Sequence, residues 1–94
     1  MKNFFIRLEL AGSPSAESHD AVRSLMAKNG FLNTLEGYDP AGESKSFQLP
    51  STLYYGAQTS DAADIRNSLF QQLEELSLTP TVLVIESGHW AFRD

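Results

Sequence analysis

Ser15-Ala16-Glu17-Ser18-His19-Asp20-Ala21-Val22-Arg23-Ser24-Leu25-Met26-Ala27-Lys28-Asn29-Gly30 reads as one amphipathic helix with both of its ends written in the residues. Ser15 can cap the orphan amides of the first turn, Glu17 and Asp20 lie near the positive end of the helix dipole, and Gly30 can take the left-handed closing position. Val22, Leu25, Met26 and Asn29 recur at i, i+3, i+4 and i+7, so the first three predict a core-facing stripe. Arg23 lies at the edge of that stripe. A guanidinium there has apolar surface for its stem and a forked donor for an anion such as phosphate.

Working outward, Phe4, Ile6, Leu8 and Leu10 alternate with Phe5, Arg7 and Glu9 in the period-two pattern of a strand. After the helix, residues 31–36 predict a second, shorter strand. Residues 37–45, rich in Gly, Asp and Pro, predict an exposed hairpin loop. A third strand is expected over 46–55, with Phe47, Leu49, Leu53 and Tyr55 on alternate positions and Pro50 implying an edge or a bulge. Thr59-Ser60-Asp61 is a helix-start cluster, and residues 62–76 place Ile65, Leu69, Leu73 and Leu76 on one face. Residues 81–87 form the most β-prone run, and residues 88–94 a short apolar tail. The order β-α-β-β-α-β with right-handed crossovers predicts an α+β ferredoxin-like two-layer sandwich, a four-stranded antiparallel sheet with both helices on one face. Residues 1–94 are read as a single domain.

Composition narrows the function classes. The chain has no cysteine, which excludes disulfides and thiolate metal sites and fits a cytoplasmic protein. Arg7 and Glu9 interrupt the N-terminal apolar run before it reaches signal-peptide length, and nowhere is there a stretch approaching the roughly 18 apolar residues of a membrane span. Seven basic residues stand among twelve acidic ones, for a formal charge of −5, which argues against broad affinity for nucleic acid. A local patch drawn from Arg7, Arg23, Lys28, Lys45 or Arg66 remains open.

The two histidines, His19 and His89, have no partner at ligand spacing, so neither a metal nor another cofactor is expected. Ser18-His19-Asp20 is consecutive on a helix, where neighbours point in different directions and cannot form a triad. Asp61 and Asp64 are accounted for by the second helix's dipole. Tyr38, Trp90 and Phe92 could stack on unpaired bases, or could cover a sheet edge or a dimer interface; for Trp90 and Phe92 the interface or edge is favoured. Arg23 has its own plain alternative, an ion pair with Asp20 at i−3.

Arg23-Ser24-Leu25-Met26, followed by Asn29 and Phe31, resembles the first helix of the GhoS-type antitoxins. The order continues through Phe47-Gln48-Leu49, the helix ending at Leu76-Ser77-Leu78, the strand at 82–86 and the ending Phe92-Arg93. That family consists of small ferredoxin-like endoribonucleases, similar in fold to the small CRISPR-associated nucleases, which cleave the messenger RNA of a membrane-disrupting toxin. The resemblance implies that Arg23 binds the scissile phosphate or stabilises transition-state charge. His19, one turn earlier, would be the general base, since imidazole is the side-chain type suited to that task near neutral pH. Arg7, Lys28 and Lys45 would be RNA-binding residues, and single-stranded or messenger RNA and a second copy of the chain the partners. Ferredoxin-like nucleases commonly carry an aspartate at the end of the first strand; Leu8-Glu9-Leu10-Ala11-Gly12 stands there instead, so a metal-free route is implied. The alternative is a non-catalytic dimeric interaction module with the same fold.

Overall fold

A computed structural model describes residues 1–88 and contains β1 (Lys2–Leu10), α1 (Ala16–Lys28), β2 (Thr34–Tyr38), β3 (Ser44–Gln48), β4 (Leu53–Gln58), α2 (Ala62–Glu75) and β5 (Pro80–Ser87). Trp90 and Phe92 lie outside the described residues. β1 is central and pairs antiparallel with β4 on one side and β5 on the other. Its alternation has the expected phase: Phe4, Ile6 and Leu8 are buried, and Arg7 and Glu9 are exposed. Val22 and Met26 of α1 and Ile65, Leu69 and Leu73 of α2 join Phe4, Ile6 and Leu8 in one core cluster. Both helices therefore cover the same face of the sheet.

The expected four-stranded sheet is not what forms. The sheet around β1 has three strands, and β2 and β3 make a separate two-stranded ribbon. Two sequence features cause the split. Pro50 cannot donate to a ladder, and Leu53 N–H closes a turn on the Pro50 carbonyl at 2.9 Å, so the strand expected over 46–55 breaks into β3 and β4. On the facing segment only Leu32 pairs with β4, exchanging both backbone bonds with Tyr55 at 2.8 and 2.9 Å. Asn33 then turns its side-chain amide onto the Pro50 and Leu53 carbonyls, spanning the gap between the ends of β3 and β4. From Thr34 onward the chain pairs with β3, Thr34 opposite Gln48 through Tyr38 opposite Ser44. The expected hairpin loop shrinks to residues 39–43, where the Asp39 carboxylate accepts from the amides of Ala41 and Glu43.

The helix ends follow the sequence closely. The Ser15 hydroxyl accepts from Ser18 N–H, and the Asp61 carboxylate accepts from Asp64 N–H. At the end of α1, Gly30 adopts φ +88°, its N–H donates to Ala27 O, and Phe31 N–H donates to Met26 O. This is the paired 6→1 and 5→2 closure that a left-handed residue permits, and it drops Phe31 into the core beside Met26. The turn lies directly on β4. A Cβ on Gly56 would overlap the Gly30 carbonyl oxygen and come within 2.7 Å of the Phe31 ring. Asn29 and Gln72 exchange amide hydrogen bonds at 3.0 and 3.2 Å, tying α1 to α2 at the same level.

Gly56→Ala should therefore destabilise by about 3 kcal/mol, the upper end of overpacking costs, because the obstruction is backbone and cannot rotate away. Gly30→Ala should cost about 1–2 kcal/mol through its positive φ. Gly88→Ala, with open space around it, should be neutral. Thermal melts check this ranking at roughly 4–8 °C per kcal/mol for a domain of this size.

Candidate functional site

The turn after α1 and the departure of β2 from β4 leave a crevice of about 570 Å³, within the range of small-ligand sites. Arg23 and Ala27 form its helix side, Leu32, Asn33 and Gln48 its ribbon side, and Tyr54 its floor. Gln48 donates to both the carbonyl and side-chain oxygens of Asn33, so these two amides are committed to holding the wall. Arg23 is about two-thirds exposed, and its bond to Asp20 is 3.8 Å long. An exposed pair of that kind is worth under about 1 kcal/mol, so the guanidinium can leave it for an anion at small cost.

Tyr54 was not singled out by the sequence. Its ring is buried at 5% exposure, and no described residue hydrogen-bonds its hydroxyl, which reaches solvent. Burial pushes the phenol above its ordinary value, and the nearby Arg23 charge offsets part of that rise. It is therefore a neutral donor at physiological pH. Tyr54 also walls a second crevice of about 360 Å³, which His19 lines together with Glu9, Pro14, Ser51 and Thr52. His19 and Arg23 lie on successive turns of α1, each lining one of the two crevices that share Tyr54.

The other expected site residues are placed elsewhere. Arg7 points from the sheet face opposite the helices and bonds Glu9 at 2.9 Å. Lys28 ends α1 and lines shallower hollows toward α2. Lys45 sits on β3, its ammonium 4.9 Å from the centre of the Phe47 ring. The structure thus places His19 and Arg23 in two neighbouring crevices that share Tyr54, while Arg7, Lys28 and Lys45 occupy three different surfaces. Among the described residues no three His, Asp or Glu side chains cluster as a metal site, and no helix is long and apolar enough to cross a membrane.

Tyr54 was missed because of the phase of the strand. Counting alternation straight through Pro50 assigns Leu53 and Tyr55 to the core face, whereas the turn at 50–53 shifts the phase and buries Tyr54. The available signal was Pro50 itself.

Arg23 and Tyr54 thus line one crevice, and His19, one turn earlier on α1, lines its neighbour. Compared with models of known protein families and with curated proteins, the chain matches none.

The raised Tyr54 pKa has a sign that can be tested. The folded state holds the phenolic proton more tightly than the unfolded chain, so this contribution to stability is fully present below pH 10, the unfolded value, and is lost as pH rises through the folded one. Melts between about pH 8 and 11 should fall more steeply above about pH 10 for wild type than for Tyr54→Phe. Parallel curves would contradict it.

Proposed function

We propose that this chain is a metal-independent endoribonuclease of the antitoxin type, acting in the cytoplasm on a toxin messenger RNA from a ferredoxin-like scaffold whose fourth strand is reduced to the Leu32 pairing. The observation that carries this reading is that Arg23 and His19, on successive turns of α1, line two crevices that share Tyr54.

In this scheme the scissile phosphate rests between the Arg23 guanidinium and the Tyr54 O–H. His19 takes the proton of the adjacent ribose 2′-hydroxyl, and the 2′-oxygen attacks phosphorus. The bond to the 5′-oxygen breaks, and the leaving oxygen takes a proton from water. The products are a 2′,3′-cyclic phosphate and a 5′-hydroxyl end. Arg23 and Tyr54 act where charge accumulates on the phosphoryl oxygens, a contribution commonly worth 10²–10³ in rate for one donor. Charge is sparse here, so the affinity should come from few phosphates. With about two neutralised on a single strand, binding should fall only about sevenfold between 50 and 200 mM salt.

A second reading, a non-catalytic dimeric interaction module, is favoured by a separate observation: Leu83 and Ile85 are each 51% exposed on the side of the sheet away from the helices.

The test is cleavage of labelled messenger RNAs by the full chain in EDTA, comparing wild type with Arg23→Ala, His19→Ala and Tyr54→Phe. Cleavage leaving cyclic-phosphate ends, reduced about 10²-fold or more in each variant with unchanged circular dichroism, is the expected result. No cleavage of any RNA, or equal cleavage by wild type and Arg23→Ala, would remove the reading and leave the interaction module.

A further inference from the structure

The ribbon side of the Arg23 crevice carries an acceptor whose direction the backbone fixes. The Asn33 side-chain amide donates to the carbonyls of Pro50 and Leu53, so its Oδ1 is turned toward Gln48. Gln48 Nε2 in turn donates to the Asn33 carbonyl at 3.0 Å, to Asn33 Oδ1 and to the Leu49 carbonyl at 3.3 Å. All of these partners are acceptors. Turning the Gln48 amide over would set oxygen against oxygen at every contact, so its nitrogen must face the wall. Gln48 Oε1 is the polar atom left over, and no described residue donates to it.

An exposed glutamine ordinarily turns freely, and one hydrogen bond to it gains little because holding it costs rotamer freedom. Here the wall has already taken that freedom, so Oε1 is an acceptor held ready. Thr34 lies opposite Gln48 in the ribbon register and lines the same crevice, and no described residue bonds its hydroxyl. Leu32, 55% exposed, adds apolar surface beside them. A phosphate displaces on the order of two or three waters of roughly 30 Å³ each. Most of the crevice, about 570 Å³, is then left for what is attached to the phosphate.

Base chemistry decides what fits there. An unstacked nucleotide of a single strand presents the edge of its base to side chains. A fixed carbonyl needs an N–H, and a projecting exocyclic amine delivers one without obstruction. In adenine and cytosine that amine stands next to a ring nitrogen that accepts, which the Thr34 hydroxyl can satisfy. In uracil the ring N–H is recessed between two carbonyl oxygens, and these meet Gln48 Oε1 first. We infer that Gln48 reads the base attached to the phosphate at Arg23, selecting an amino-bearing base, adenine or cytosine, over uracil. The inference rests on the reading that RNA lies in this crevice but not on cleavage, because it concerns binding alone.

Anisotropy titrations of the full chain with labelled 2′-O-methyl hexanucleotides, which the proposed route cannot cleave, test it. The strands are all adenine, all cytosine, all uracil, or all purine, the adenine analogue with hydrogen in place of the amine. Wild type should bind the adenine strand about fivefold more tightly than the purine strand, the size expected of one hydrogen bond, and cytosine more tightly than uracil. Gln48→Met, unbranched and without the carbonyl, should bring adenine down to purine. Loss of the wall bonds would weaken both strands alike, so the ratio reports the acceptor. In ¹⁵N-labelled wild type, the Gln48 side-chain amide signals, assigned by their absence in Gln48→Met, should move with the adenine strand and stay with the purine strand. That readout decides the matter even where the variant disturbs the wall. Equal affinity for adenine and purine, or a preference that survives in Gln48→Met, overturns this inference alone where Arg23→Ala still weakens every strand. Binding of no strand at all removes the crevice as an RNA site and this inference with it.

Discussion

The close approach of the Gly30 carbonyl to Gly56 is the contact on which the rest of this architecture depends. Only because β4 has no Cβ there can the left-handed turn after α1 lie on the strand. That seating sends Phe31 into the core and presents Leu32 to Tyr55 for a single pair of backbone bonds. Asn33 then engages the carbonyls of Pro50 and Leu53, and the chain leaves the sheet to form the β2–β3 ribbon. The gap left between ribbon, α1 and β4 is the crevice, and its floor is Tyr54. The placing of Arg23 beside Tyr54 is thus tied to one backbone contact.

The same layout separates two surfaces with different physics. Beside α1, Arg23 and the side-chain amides of Asn33 and Gln48 border the buried ring of Tyr54 in a recess. Across the sheet, apolar rows carry one self-compensated ion pair.

Much of the fold was legible from local rules. Ser15, Asp61 and Gly30 ended the helices as their chemistry requires, and the Phe4-Ile6-Leu8 and Ile65-Leu69-Leu73 stripes identified the core. The sheet was less legible because its division rests on Asn33 bonding carbonyls 17 and 20 residues away, which no periodicity encodes. The place of Arg23 at the edge of an apolar stripe, and of His19 one turn before it on the same helix, was readable from the helix pattern. Tyr54 was not, because Pro50 shifts the strand phase. Arg7 and Lys45 looked like companions of Arg23 only as charges in a string; alternation and the ribbon send them to other surfaces.

The central claim is that RNA meets this protein in the crevice beside Tyr54. Titrating the ¹⁵N-labelled full chain with a 2′-O-methyl oligonucleotide, which cannot be cleaved by the proposed route, tests it directly by the amide shifts of each residue. The account predicts that the largest changes fall on Arg23, Leu32, Asn33 and Tyr54. Changes centred on Phe5, Leu83 and Ile85, or no changes at saturating oligonucleotide, would contradict it.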